Sequence, residues 1–500
     1  MRSIFLVGLM LSVYSILSAQ LITYNAPKGS RSNTDFTIKV KEGSKTWQPI
    51  HNYPAHVAEV INYKSVIQTT SFAYFDFSGK VDVSVTYNKG PVKSVKIRPL
   101  SSGITPNIKG NTITFSLTDP RNLSIEVNGD IFHNLHLFAN PLETFKPSSS
   151  DTSVMFYGPG IHYVGNILIP SNKTVYIAGG AIVQGGFAMI NAENVRILGR
   201  GILTQGAIVQ DSSEKPLPKA NFRRTRNDEI TVEYSKNITI DGLIVIPEKY
   251  TVLVGQSQGV TISNLKSFSS GGNADGLDVF CSTDVMIDNV FMRNSDDCIA
   301  IYGHRWAYKG DVRNITVRNS ILWADVAHPV VVGTHGNTEN PETLEQMKFI
   351  NIDVLDQHEN QLDYQGCLSL NAGDGNYIKD IRFEDIRVED IRKGQLINLR
   401  VMYNRKYNTS AGRAIENVYF KNVSYNGNHA NVSVIVGYDE ARTIKNLTFE
   451  NLKINGTIIS DDMPGKPGWY KTGDIANFFI GEHVTGVRFI NTASPATNKP

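Results

Sequence analysis

Three aspartates in one short stretch are the densest chemistry in the chain. Asn273-Ala274-Asp275-Gly276-Leu277-Asp278 is followed by Asn294-Ser295-Asp296-Asp297-Cys298-Ile299-Ala300-Ile301. Asp296 comes 21 residues after Asp275. Carboxylates drawn together repel, and the repulsion raises the pKa of at least one of them. A protonated acid beside ionised carboxylates is what glycosidic cleavage needs: one group protonates the leaving oxygen while another activates water. Two other readings compete. The residues could be turn aspartates, and for Asp278 alone that reading is favoured. For Asp275, Asp296 and Asp297 together, convergence argues against it. They could instead hold calcium through several oxygens, but the spacing is not that of a calcium loop. No metal and no cofactor is expected.

Residues 21 apart meet only if the chain returns to the same place at that interval. A short motif, apolar-any-apolar, recurs as Val195-Arg196-Ile197, Ile238-Thr239-Ile240, Val260-Thr261-Ile262 and Val285-Met286-Ile287. It continues through Ile315, Met347, Ile381, Val418 and Leu447 to Val487-Arg488-Phe489. The tightest steps are 22 and 25 residues, and later ones run from 29 to 40. One strand core per unit at this period is the mark of a solenoid. The chain holds 44 Asn beside 41 Gly. Asn194, Asn237, Asn314, Asn417 and Asn446 precede the motif, and Asn264, Asn289, Asn319, Asn351, Asn422 and Asn451 follow it. Asn tolerates the left-handed backbone of a sharp corner, and stacked amides bond from coil to coil. The expected fold is therefore all-β: a parallel β-helix of about 22 residues per minimal coil, longer coils carrying inserted loops that wall a groove. Residues one coil apart then lie ~4.8 Å apart on one face.

Ahead of the solenoid the period is two. Val81, Val83, Val85 and Tyr87 alternate with polar residues, as do Ile113, Phe115 and Leu117, with turns such as Asn128-Gly129-Asp130 between strands. This pattern predicts an antiparallel β-sandwich over residues 20–150, joined by a Lys146–Asp151 linker to the solenoid at 151–500. Residues 1–19 read as a signal peptide: Arg2, an apolar run from Ile4 to Leu17, then Ser18-Ala19. The protein is expected to be exported, to a periplasm or outside the cell, with no membrane span. Of 500 residues 41% are hydrophobic and 19% charged, which excludes disorder for most of the chain. A net charge of +2 argues against a nucleic-acid partner. The three cysteines, Cys281, Cys298 and Cys367, read as small buried thiols.

Asn273-Ala274-Asp275-Gly276 resembles the Asn-Thr-Asp motif of glycoside hydrolase family 28, the polygalacturonases. Asp296-Asp297-Cys298 resembles that family's Asp-Asp-Cys motif, at the same distance. The sandwich ahead of the solenoid is similar to the layout of family 49, the dextranases and isopullulanase. The resemblance implies a right-handed β-helix and an inverting mechanism. It implies Asp296 as general acid, and Asp275 with Asp297 as the pair that holds and deprotonates water. The family's Gly-His-Gly motif has two candidates here. Ala327-His328-Pro329 keeps the following context, and Gly303-His304-Arg305 is nearer in letters; His328 is favoured, as a group that tunes the acid. Polygalacturonases carry Arg-Ile-Lys, and the nearest match is Gly366-Cys367-Leu368-Ser369-Leu370, with Leu in place of both cations. That weighs toward a neutral sugar, or an acidic one held by another residue such as Arg400.

Candidate substrate contacts are then Asn273, Asp278, His304, Asn371, Asp374 and Arg400, with Trp306, Tyr308 and Trp323 as aromatic faces for sugar rings. The expected activity is hydrolysis of an α-linked polysaccharide or oligosaccharide by a monomer. A polysaccharide lyase on the same fold and a non-catalytic carbohydrate-binding solenoid are the alternatives. A lyase needs a Lys or Arg base, and a binding surface has no need of three stacked acids.

Overall fold

The computed structural model describes residues 20–205 and 228–492; the export segment expected at 1–19 lies outside them. Strand dominates, and the one α-helix among the described residues is Thr472–Ile475. Residues 20–141 form two sheets, one of six strands and one of five. Their facing sides share one core. Val83, Val85, Ile113 and Leu117 of the smaller sheet meet Phe75, Phe77, Leu123, Ile125 and Leu137 of the larger. The period-two pattern is thus an alternation of burial, as a sandwich requires. The expectation of an antiparallel sandwich needs one correction. Asp130–Pro141 runs parallel to Lys64–Ser78, with Leu135 opposite Ser71. The chain leaves Ser78 to build the second sheet and crosses back before Asp130, and parallel neighbours need such a crossover.

From Val154 to Ile490 the strands wind into a right-handed parallel β-helix with three stacks. The first stack runs through Ile230–Glu233, Val252–Gly255, Leu277–Phe280, Ile299–Tyr302, Val330–Gly333, Leu368–Ala372 and Ile397–Val401. The second carries the recurring motif. Val195, Ile238, Val260, Val285, Ile315, Met347, Ile381, Val418, Leu447 and Val487 stand in register on ten successive coils. The motif's second apolar position stacks too: the rings of Phe349, Phe383, Phe420, Phe449 and Phe489 follow at 4.7 to 5.0 Å, nearly parallel.

Asn residues turn the corners on both sides of this stack. Asn194, Asn237, Asn289, Asn319, Asn351, Asn422 and Asn451 all have φ between 52° and 58°. Their amides bond along the axis: Asn237 to Asn194 at 2.6 Å, Asn351 to Asn319 at 2.8 Å and Asn451 to Asn422 at 3.0 Å.

The third stack faces the sandwich. Ile244, Phe268, Phe291, Trp323 and Leu355 pack against Tyr53, Val57, Phe72, Tyr74 and Phe138. Buried cations pin this seam. Arg293 bonds Asp325 at 3.0 Å, Asn134 Oδ1 at 3.0 Å and the Ile131 carbonyl at 2.9 Å. Arg98 bonds Glu126 on the sandwich and Glu389 on the solenoid. Trp323, expected as a sugar-facing ring, is fully buried here under the Arg293 guanidinium. The three cysteines are buried free thiols, as read from their number and spacing.

Candidate active site

The acids sit where the third stack turns into the first. Leu277, Ile299 and Val330 are register partners, so two residues earlier Asp275, Asp297 and His328 occupy one position on three successive coils. Backbone bonds confirm the column: Gly276 N–H donates to the Asp297 carbonyl and Cys298 N–H to that of His328, each at 2.8 Å. The sequence spacing of 21 points at Asp296, but the in-register partner of Asp275 is Asp297, 22 residues on. Asp296 precedes it at the corner and remains partly open to solvent.

Two local features close the coils up. A Cβ on Gly276 would lie 2.3 Å from the Cys298 carbonyl oxygen, so only glycine fits. Serines hold the corners: Ser295 donates to the Gly271 carbonyl one coil back, and Ser269 closes its own corner on the Ala274 carbonyl, both at 2.6 Å.

Carboxylate oxygens of Asp275, Asp296 and Asp297 lie within 4.8 Å of one another. Burial, then the charge of Asp297, pushes the Asp296 carboxyl up to about 7. Donors converge on Asp297. Its Oδ1 faces His328 Nδ1 at 2.7 Å and accepts from His328 N–H at 3.1 Å, and its Oδ2 accepts from the Tyr302 hydroxyl at 3.1 Å. The other His328 nitrogen faces the Tyr364 carbonyl at 2.5 Å. Both ring nitrogens thus meet acceptors, which suits an imidazolium. Burial alone would lower the His328 pKa, but Asp297 outweighs it and the net shift is upward. Among the described residues, these three aspartates are the one group of His, Cys, Asp or Glu close enough to share a cation. With three donors already on Asp297, the site is better furnished for protons than for a divalent ion.

The other candidates fall on all sides of this column. Tyr250 holds the column position one coil before Asp275, and Trp306 stacks on it at 6.2 Å with 38% of its surface exposed. Asn273 turns the exposed corner before Asp275 at φ 52°. Asp278 lies in a strand, not a turn, buried on the outer face of the first stack between Leu253 and Ala300. Of the two histidines, His328 is the one brought to the acids. His304 lies at a hairpin beside Glu342, 3.8 Å away. Tyr308 is fully buried and donates to Glu233, so it offers no face to a sugar. Asp374 is spent on structure: it accepts from Thr409 N–H at 2.5 Å, Ser410 N–H at 3.1 Å and Asn408 Nδ2 at 3.2 Å, anchoring that loop.

The reading of Leu368 and Leu370 as lost cations is also corrected. Strand alternation turns both into the solenoid core, and the outward residues of that coil are Ser369 and Asn371. Register places Gly333, Asn371 and Arg400 in one outward column, continuing that of Phe280 and Tyr302. Arg400 donates to Asn398 Oδ1 at 3.2 Å, and burial holds its pKa below the usual guanidinium range.

Tyr302, His335, Arg305, Tyr364 and Tyr407 were not foreseen. Tyr302 could have been found, since it stands one alternation past Ala300 on the strand that follows Asp296 and Asp297. Tyr364 edges onto His328 at 4.6 Å and packs on Tyr407 at 4.6 Å. His335 edges onto Tyr302 at 5.0 Å; burial, then Arg305, pushes it down to about 4. Arg305 donates to its Nε2 at 3.1 Å.

Comparison with known proteins finds a family and a shared fold. Glycosyl hydrolases family 28 matches residues 172–465, more than half of the chain. Isopullulanase of Aspergillus niger is 24% identical over 344 residues, 58% of each chain. A probable endo-xylogalacturonan hydrolase A of Neosartorya fischeri is 25% identical over 235 residues, 44% of this chain and 53% of that protein. The chain thus spans less than two thirds of these relatives. Dex49A from Penicillium minioluteum shares the fold, with a TM-score of 0.60 at 14% identity, covering 93% of this chain and 96% of that one. The family match over more than half of its length makes this chain a member of glycosyl hydrolases family 28.

Proposed function

We propose that the protein is an exported enzyme that hydrolyses α-glycosidic bonds of a polysaccharide with inversion, using Asp296 as general acid. The observation that carries this is the raised pKa of Asp296 beside two further carboxylates. An acid with a pKa of about 7 still holds a proton to give the leaving oxygen near neutral pH. Asp275 and Asp297, on consecutive coils, hold the attacking water: oxygens within 4.8 Å leave room for one water bonded to both. His328, cationic and out of reach of solvent, fixes the Asp297 carboxylate and offsets part of the clustered negative charge. Residues 20–150 act as a wall-bearing domain and 151–500 as the catalytic one. Export rests on the composition of residues 1–19; among the described residues no helix is long and apolar enough to cross a membrane.

A second reading, retention, is favoured by the same 4.8 Å: inverting carboxyl pairs usually stand ~6.5–9.5 Å apart and retaining pairs ~5 Å. The test is a product screen on pectic, dextran, pullulan and algal polysaccharides, with the anomer formed first read by NMR. Inversion is the expected result, and a retained anomer rejects the water-clamp roles of Asp275 and Asp297. The names of the relatives span neutral and acidic glycans. Support for an acidic unit comes from Arg305, half-buried with no carboxylate in ion-pair range among the described residues, and from Arg400 three coils beyond Tyr302 in the same outward column. Unsaturated, ultraviolet-absorbing products would point to a lyase and overturn hydrolysis.

A further inference from the structure

The glycosidase reading leaves one conspicuous element unused. The sandwich sends out a long hairpin, Tyr53–Ile61 paired with Lys64–Ser78, whose register runs to Ile61 opposite Lys64. Asn62 and Tyr63 make the turn, both left-handed at φ 50° and 63°. The root is locked in the seam, where Tyr53 stacks on Phe72 at 5.1 Å and Phe72 on Phe268 at 5.5 Å. The tip is not: Tyr63 is 79% exposed and Ile67 59%. An apolar, aromatic tip on an edge hairpin is an aggregation hazard unless something uses it.

The position of the tip indicates what uses it. The hairpin lies along the corners between the third and first stacks, the corners that carry the acids. At its root, a cleft of about 720 Å³ is lined by Pro54, His56 and Thr69 of the hairpin and by Lys249, Ser269 and Gly271 of the corners. Ser269 and Gly271 are the groups bonded to Ala274 and Ser295, the neighbours of Asp275 and Asp296. At its tip, the Tyr63 ring rests on Lys393 Nζ at 4.7 Å. Lys393 donates to Asn360 Oδ1 at 2.7 Å, and its carbonyl accepts from Glu359 N–H at 2.8 Å. Glu359 in turn adds its charge to both Asp296 and His328.

Resting on the glycosidase reading, we infer that this hairpin is a saccharide-binding wall of the catalytic groove, with Tyr63 as its stacking platform. One face of the ring lies on the Lys393 ammonium, which orients it. The other face is open, as the C–H face of a pyranose requires. Polar neighbours on the tip, Asn62, Lys64 and Ser65, suit sugar hydroxyls. The tip is too small for a stable protein interface, which takes ~800 Å² per partner. The wall therefore binds a unit of the polymer several sugars from the bond that breaks.

The test uses the full chain made inactive by Asp296→Asn, with and without Tyr63→Ala or Tyr63→Phe. Retardation is measured in gels containing pullulan, dextran or polygalacturonate. Tyr63→Ala is expected to weaken retardation by the polymer that binds about tenfold, and Tyr63→Phe to leave it within twofold. Binding of a trisaccharide of the same sugar, read by calorimetry, is expected to be unchanged. Equal retardation with and without Tyr63→Ala, or retardation by none of the three, overturns the inference. Cleavage by the unsubstituted chain is scored separately: retention on the gel without cleavage would reject the glycosidase reading and leave the wall standing.

Discussion

Asp296 has opposite consequences for activity and for stability. Its carboxyl holds a proton in the folded chain up to about pH 7, against 3.8 for a free side chain. Activity that needs this proton should fall on the alkaline side with an apparent pKa near 7. Asp296→Asn should lower kcat at least ~1,000-fold while leaving binding intact, read by reducing-sugar release and gel retardation. Stability runs the other way. Between pH 3.8 and 7 the folded state binds more protons at this site than the unfolded state, so raising the pH through that window destabilises the fold. Asp296→Asn removes that penalty. It should raise Tm at pH 8 and leave it unchanged at pH 3.5, in parallel scans against the parent. Much of this site was legible in the sequence, because a solenoid gives each coil one residue at each position and the acids recur at a coil's length. Tyr364, His335 and Arg305 were not, since loops of unequal length bring them in and period carries no information about where such loops fold. Leu368 and Leu370 cannot stand where outward cations would, because strand alternation turns both into the core, and a string of letters does not carry which side each residue faces.

At the scale of the element, the asparagine corners do two jobs that substitution can separate. Asn237 adopts φ 54° and donates to Asn194 at 2.6 Å. Asn237→Ala loses both the bond and the backbone ease, and should cost about 1–3 kcal/mol by chemical denaturation. Asn237→Gly loses only the bond and should cost roughly half as much. Equal losses would mean that the amide ladder alone matters. These corners were readable because Asn at a fixed place beside an apolar pair has a single backbone explanation. The third stack was less so. Its outer face, with Phe268, Phe291 and Trp323, is apolar for the sake of the sandwich, and a local pattern cannot announce a partner more than a hundred residues away.

Across the whole molecule the seam is the costly feature. Arg293 is fully buried between Asp325, Asn134 and the Trp323 ring. Arg293→Ala leaves buried Asp325 with only the more distant Arg392, 3.6 Å away, and should cost roughly 3 kcal/mol, unfolding sandwich and solenoid together in one transition. Two separate transitions would show that the sandwich is an appended module. The two layouts, alternation first and coil period after, were visible in the sequence. How one lies on the other was not, because it depends on buried cations such as Arg98 and Arg293 that look like surface residues in a list of letters.

That seam also makes the molecule mechanically uneven. The sandwich grips coils from Ile182 to Leu355 and reaches Glu389 through Arg98, while among the described residues the coils from Ala414 onward pair with their neighbouring coils. Pulled by its ends, the chain should first peel from the C-terminal side, one coil at a time, each release of 29 to 40 residues adding roughly 10–14 nm of contour length. At Glu389 the splint takes the load, and the remaining coils should hold to a higher force and then give way together. The three clustered aspartates stand on the splinted half, so their spacing should outlast the loss of the C-terminal coils.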